Sequence, residues 1–294
     1  MRLQRRGPRG RETPVVETGM GAYDLSGVVS DIGPEFFEQG GLDIVRRALE
    51  TGGLTRFDTD GVRVGSPVAR PGKVVCIGLN YHDHAAETGA QVPAEPVVFM
   101  KDASTVIGPH DEVHIPKGSV KTDWEVELGV IIGARARYLS SPAAARDVIA
   151  GYVVSHDVSE REFQLERGGQ WDKGKSCETF NPLGPTFVTA DEVDASSLGL
   201  RLWVNGTLMQ DGNSADLVFS VEHVIWYLSQ FMVLEPGDLV NTGTPAGVAL
   251  GRADHPYLRA GDVVEVEIEG LGRQRSSVID APTDDADRST GSPS

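Results

Sequence analysis

The sequence predicts an α+β, strand-rich fold. Three observations lead there. Gly (35) and Pro (17) together make up 52 of 294 residues, about 18% against a usual ~12%, which favours many turns and therefore many strands. Short apolar runs with strand patterning outnumber segments of helical period. At 39% apolar and 24% charged, the chain has enough greasy surface to bury a core of ordinary size.

Taken in order, Arg-rich residues 1–12 read as a first strand and turn, because Gly7, Pro8 and Gly10 interrupt any amphipathic helix. GLDIVRRALE (41–50) places Leu42, Ile44, Val45 and Leu49 at helical spacing. Punctuation by Gly, Asp and Pro follows, then the strand-like RPGKVVCIGLNY, and a boundary is expected near residue 68. The expected organisation is a small N-terminal α/β domain (1–68), a larger domain (69–280) and a disordered, almost wholly polar tail (281–294). DWEVELGVIIG (123–133) begins as an alternating strand and continues as an apolar run, as a strand entering a buried sheet does. Ser141-Pro142 offers an N-cap and first-turn proline to AAARDVIA, with Gly151 as its stop. YVVSHDVS (152–159) is the next strand, and Ser159 with Glu162 reads as a capping box opening a helix. VEHVIWYLSQFMVL (221–234) is the clearest helix. It is followed by Pro236-Gly237, the strand DLVNTG and the alternating strand VVEVEIEG, whose Val264, Val266 and Ile268 face one way.

Charge and cysteine content exclude several classes. A formal net charge of −16 argues against nucleic-acid binding, which needs basic surface to neutralise phosphate. No apolar run approaches the ~18 residues that span a bilayer, so no membrane association is expected. Cys76 and Cys177 are too few for a disulfide framework, and a cytoplasmic location is expected.

GQWDKGKS (169–176) matches the phosphate-loop pattern letter for letter. That pattern works only between a strand and a helix, where amides and helix dipole converge on phosphate. Here a polar, helix-suited EREFQLERG precedes it, and Pro182, Gly184 and Pro185 follow. Nucleotide binding is therefore not expected. The carboxylates are more informative. Glu125 and Glu127, two apart on a strand, project from one face. Such a pair can be a solvated outer face or a cation cradle. The apolar LGVII that follows implies burial, where two carboxylates need compensating positive charge. Asp157 ends the next strand. If the strands are neighbours, the three acids make an all-oxygen site suited to Mg²⁺ or Mn²⁺; zinc would favour His or Cys at spacings absent here.

Six segments resemble, in order, the fumarylacetoacetate hydrolase family: IGLNYHDHAAETG (77–89), PVVFMK (96–101), DWEVELGVIIG, SHDVSEREFQ (155–164), QWDKGKSCETFNPLGP (170–185) and NTGTPAGV (241–248). The resemblance covers about residues 70–280 and is nearest to bacterial 2,4-diketo-3-deoxy-L-fuconate hydrolase-like and acylpyruvase-like members. It implies a mixed β-sandwich roll, a homodimer, and one Mg²⁺ or Mn²⁺ per active site with Glu125, Glu127 and Asp157 as metal ligands. It places His84 and Glu87 on a His-x-x-Glu pair that handles water, and Lys175 on an active-site lysine. Gln164 and Thr244 fall on substrate-binding positions. Leu79 departs from the acylpyruvase-type members, several of which carry an Arg there that could pair with a substrate carboxylate.

The implied function is metal-dependent hydrolysis of a C–C bond in a β-diketone or 2,4-dioxo acid, releasing pyruvate or a related keto acid by way of a metal-stabilised enolate. Isomerisation, tautomerisation or decarboxylation of a 2-oxo or 2-hydroxy dienoic acid is the alternative at the same site. A non-catalytic dioxo-acid-binding protein is the alternative from another class. The expected partner is a small-molecule keto-acid substrate.

Overall fold

The computed structural model describes residues 1–87, 89 and 91–282. Strands β1 (Arg2–Arg6), β2 (Thr13–Thr18) and β3 (Gly21–Asp24) open the chain, followed by helices α1 (Pro34–Glu38) and α2 (Gly41–Thr51). Next come β4 (Val74–Gly78), α3 (His82–Glu87), β5 (Val97–Lys101), β6 (Val106–Ile107), β7 (Val113–Ile115), β8 (Thr122–Asp123) and β9 (Val126–Ile132). Strands β10 (Ile149–His156) and β11 (Ser159–Glu160), the single-turn helix α4 (Asp172–Lys175), β12 (Asn181–Pro182) and β13 (Phe187–Thr189) follow. The chain continues through β14 (Gly199–Val204), β15 (Thr207–Asn213), α5 (Val221–Ser229), β16 (Leu239–Asn241), β17 (Val263–Ile268) and β18 (Gly272–Asp280).

A nine-stranded sheet runs β3-β2-β1-β13-β10-β9-β16-β4-β5, and a five-stranded sheet runs β15-β14-β17-β18-β7. One core lies between them. Val126, Leu128, Val130 and Ile132 of β9 meet Leu200, Leu202, Val264, Val266 and Ile268 there, together with Val224, Ile225 and Leu228 of α5. The opposite face of the large sheet packs Ile131, Val153, Cys76 and Leu239 against Phe36, Phe37 and Val45 of the two N-terminal helices. This is the α+β sandwich the sequence predicts, and the alternation in β17 is as expected. Replacing Leu239, fully buried in this second core, by Ala is expected to cost about 2–5 kcal/mol in denaturant unfolding.

Residues 1–68 share both sheet and core with the rest. β1 pairs antiparallel with β13, Leu3 opposite Phe187, so no break in hydrogen bonding falls at the boundary expected near residue 68. The tail expected over 281–294 lies outside the described residues from 283 onward.

Several local expectations are corrected. The helix after Ser141 is a short 3₁₀ segment, Pro142–Val148, and β10 already begins at Ile149. Gly151 does not stop a helix; it sits in β10, where a Cβ would come within 2.1 Å of Val188 O, so only glycine lets β13 approach this closely. Ser159 caps nothing. It lies in β11 and its hydroxyl donates to Asp157 O at 3.0 Å, while Glu162–Glu166 form a π-helical turn. Helix α5 begins as expected, with Ser220 Oγ accepting from the His223 N–H. It ends at Ser229 rather than 234, because Leu234 pairs with Ala136 as an extended residue.

Candidate metal centre and active site

β9 and β10 are antiparallel neighbours, with Glu127 opposite Ser155 and Val126 opposite His156. Glu125 stands just before β9 and Asp157 just past the end of β10. Antiparallel pairing therefore brings the start of one strand beside the end of the other. Alternation turns Glu127 away from the face that carries Val126 and Leu128. The outcome is a cluster in which Glu125, Glu127 and Asp157 each offer an oxygen within 4.8 Å of the others, all three buried. No His or Cys belongs to it. Three hard oxygen donors suit a divalent cation of the Mg²⁺ or Mn²⁺ type.

The surrounding charges show where a cation is still needed. Lys175 Nζ donates to Glu125 Oε2 (2.8 Å) and Asp157 Oδ2 (2.9 Å). Arg161 reaches Glu125 Oε1 at 2.7 Å and donates through Nε to Asp123 Oδ2 at 2.8 Å. Burial would raise the Glu125 pKa, but Lys175 and Arg161 outweigh it and hold the carboxyl well below the usual range. Burial would lower that of Lys175, but Asp157 and Glu125 keep it above an ordinary lysine. Lys101 Nζ donates to Asp157 Oδ1 at 2.5 Å and to Val158 O at 3.0 Å. Glu127 differs. Its Oε2 accepts the Gly243 N–H at 2.8 Å, and among the described residues no lysine or arginine forms an ion pair with it. Burial, then the charges of Asp157 and Glu125, push its carboxyl well above the usual range. A buried acid wanting positive charge, flanked by two others, fits a bound divalent cation.

The cluster opens into a cavity of about 260 Å³ whose lining includes Glu125, Glu127, His84, Lys175, Gln164 and Thr244. His84 lies on α3 with Nδ1 3.5 Å from Glu87 Oε2, and Glu87 is itself steadied by the Gly247 N–H, 3.0 Å from both carboxylate oxygens. Gln164 Oε1 accepts from Arg161 Nη1 at 3.0 Å. The Thr244 hydroxyl donates to Val126 O and accepts from Gln210 Nε2, so it anchors the acid-bearing strand as well as lining the cavity. Asp157 is completely buried behind Lys175. All eight residues singled out in the sequence thus gather at one place. The phosphate-loop look-alike is resolved too: it folds as a single turn, α4, that points Lys175 inward and leads into β12.

Sequence reasoning missed Arg161, Asp123 and Lys101. Arg161 and Gln164 are three apart in one turn, the spacing that puts them together. Lys101 ends the apolar strand VVFMK, where a charge with no exposed surface must have a buried partner. Cys177 is half-buried, and burial lifts its thiol to about 11, which disfavours the nucleophilic thiolate. His156 is fully buried; burial, then Lys101, lowers its pKa to about 3, so the ring is neutral.

Two packed sheets, with an all-carboxylate cluster at the ends of β9 and β10 of the larger one that opens into a cavity with a His–Glu pair and a lysine, make a β-sandwich whose site is suited to a divalent cation. The chain belongs to the fumarylacetoacetate hydrolase family: the family profile described as "Fumarylacetoacetate (FAA) hydrolase C-terminal" matches residues 73–279. A relative from Burkholderia multivorans, named only provisionally as a hydrolase, is 52% identical over 277 residues, 93% of this chain and 97% of that one. Two solved structures each cover 96% of this chain and 100% of their own. The 2-hydroxyhepta-2,4-diene-1,7-dioate isomerase of Mycobacterium marinum is 30% identical with a TM-score of 0.74. The maleylpyruvate hydrolase of Sphingobium sp. SYK-6, solved with manganese(II) and pyruvate, is 29% identical with a TM-score of 0.78. The family thus includes hydrolases and isomerases. Among the described residues no helix is long and apolar enough to cross a membrane.

Proposed function

We propose that the protein hydrolyses a C–C bond in a 2,4-dioxo acid or related β-diketone, releasing pyruvate or a similar keto acid, with Mg²⁺ or Mn²⁺ as cofactor. The convergence of Glu125, Glu127 and Asp157 at the cavity that also holds His84 and Lys175 carries this reading. Glu125, Glu127 and Asp157 would hold the divalent cation, which would supply Lewis acidity at the site. His84, oriented by Glu87, takes a proton from water, and the hydroxide so formed attacks the distal carbonyl carbon. The C–C bond then breaks, its electron pair passing to the keto-acid fragment as an enolate. Lys175, cationic through its contacts with Glu125 and Asp157, donates toward that charge. Protonation of the enolate carbon completes the keto acid, and the other fragment leaves as a carboxylic acid.

The experiment is turnover of a panel of 2,4-dioxo acids with Mn²⁺ or Mg²⁺, with chelator as control, in ¹⁸O-labelled water. Cation-dependent cleavage with label in the new carboxylate is expected. The isomerase neighbour favours a second reading, in which the same site moves a double bond without adding water. A cation-dependent product without label would select that reading, and no cation-dependent turnover would refute both.

A further inference from the structure

The cavity has two kinds of wall. Glu125, Arg161, Gln164 and Lys175 are tied to one another by direct contacts. The apolar remainder is Ile77, Leu79, Phe99, Leu165, Trp171 and Leu250. Every lysine or arginine among the described lining residues is already committed: Arg161 to Asp123 and Glu125, Lys175 to Glu125 and Asp157. We infer that the substrate is a monocarboxylic 2,4-dioxo acid whose far end is uncharged and apolar, and that the wall of Leu79, Phe99 and Trp171 selects it over a dicarboxylic acid of equal length. The inference rests on the 2,4-dioxo-acid reading of the site and adds the nature of the tail.

The wall is built rather than incidental. Trp171 lies directly on Gly78, where a Cβ would meet the indole at 2.7 Å; glycine there is what lets the ring approach β4 this closely. Phe99 packs on Trp171 with ring centroids 5.3 Å apart, and Lys175 Nζ is 5.0 Å from the Phe99 centroid. Leu79 follows β4 with φ +53°, a left-handed conformation that bulky residues rarely adopt, and it lines the cavity. A volume of about 260 Å³ falls just short of the ~300 Å³ at which pockets for drug-sized ligands begin, so the occupant is a small acid. The carboxylate of the dioxo end would have a divalent cation held by Glu125, Glu127 and Asp157 to meet it. A second carboxylate at the far end would be desolvated against Leu79 and Trp171 with no uncommitted lysine or arginine among the described lining residues, in a protein whose net charge of −16 opposes a further anion. An apolar tail gains from the same surface.

The test compares 2,4-dioxooctanoate with 2,4-dioxooctanedioate, the same chain ended by a methyl or a carboxylate, on the Mn²⁺-loaded protein. The monoacid is expected to have the higher kcat/KM, on the order of 100-fold. In parallel, calorimetry with 2-oxohexanoate and 2-oxohexanedioate, which lack the second oxo group, reads tail preference without any bond cleavage. Tighter binding of the monoacid, by about tenfold or more, is expected there too. Equal or better performance of the dioic acid in either arm, or binding of neither 2-oxo acid, overturns the inference. Should neither dioxo acid turn over, the hydrolase reading fails while calorimetry still decides the tail. Leu79→Arg is expected to shift the binding ratio toward the dioic acid by about tenfold; an unchanged ratio in the folded variant removes Leu79 from the selecting wall.

Discussion

Glu127→Gln is expected to lower turnover on the order of 100 to 1,000-fold and to abolish the rise in Tm that Mn²⁺ gives the wild type, without destabilising the cation-free protein. Of the three acids, Glu127 is the one with no lysine or arginine partner among the described residues, so its charge depends most on the bound cation. Gln keeps the shape, and its amide oxygen can still accept the Gly243 N–H that Glu127 Oε2 accepts at 2.8 Å. Without cation, the substitution removes a buried carboxylate that burial and two neighbouring anions disfavour, so the variant melts at the wild-type temperature or above. With cation, the wild type gains about 2.7 kcal/mol at a hundredfold excess over Kd, which for a chain of this length raises Tm by about 5 °C. Thermal melts with and without Mn²⁺ separate the two effects. A Glu127→Gln variant that keeps the full cation-induced shift would take Glu127 out of the cradle.

His84→Ala should behave in the opposite way. The side chain belongs to α3, not to the acid-bearing strands, and its Nδ1 lies 3.5 Å from Glu87 Oε2. Removing it takes away the group that accepts a proton from water but leaves Glu125, Glu127 and Asp157 in place. Turnover falls by about 100 to 10,000-fold, while the Mn²⁺-induced rise in Tm stays at the wild-type value. Separations of this size between base and orienter are common before substrate closes the site, and Gly247 already holds Glu87 in position. An unchanged rate would remove His84 from the mechanism; a lost cation-induced shift would reassign it to the cradle.

The acid cluster was legible because its parts follow local periods: Glu125 and Glu127 share a face by the two-residue repeat of a strand, and Asp157 sits where a strand ends. His84, Glu87, Lys175, Gln164 and Thr244 were reached only through the family resemblance. What stayed hidden depends on contacts far apart in sequence. Arg161 and Lys101 look like surface cations until β5 and the turn after β11 fold inward. Gly151 reads as a helix stop because its real constraint, Val188 O lying where a Cβ would be, comes from a strand far along the chain. That β1 joins the large sheet was hidden for the same reason, since its partner β13 is far along the chain and only pairing shows it. The apolar run after α5 likewise hid that Leu234 leaves the helix to bridge Ala136.

The acids of the cluster and most of the apolar residues that line the cavity belong to different parts of the architecture. Glu125, Glu127 and Asp157 hang on β9 and β10, interior strands of the large sheet, whose ladder fixes their spacing. Leu79, Leu165, Trp171 and Leu250 come from turns and short helical segments beside it, while Ile77 and Phe99 stand on β4 and β5 at its edge. Descendants of this chain could therefore trade one diet for another largely by editing loops. The inorganic heart of the reaction would pass through such divergence untouched.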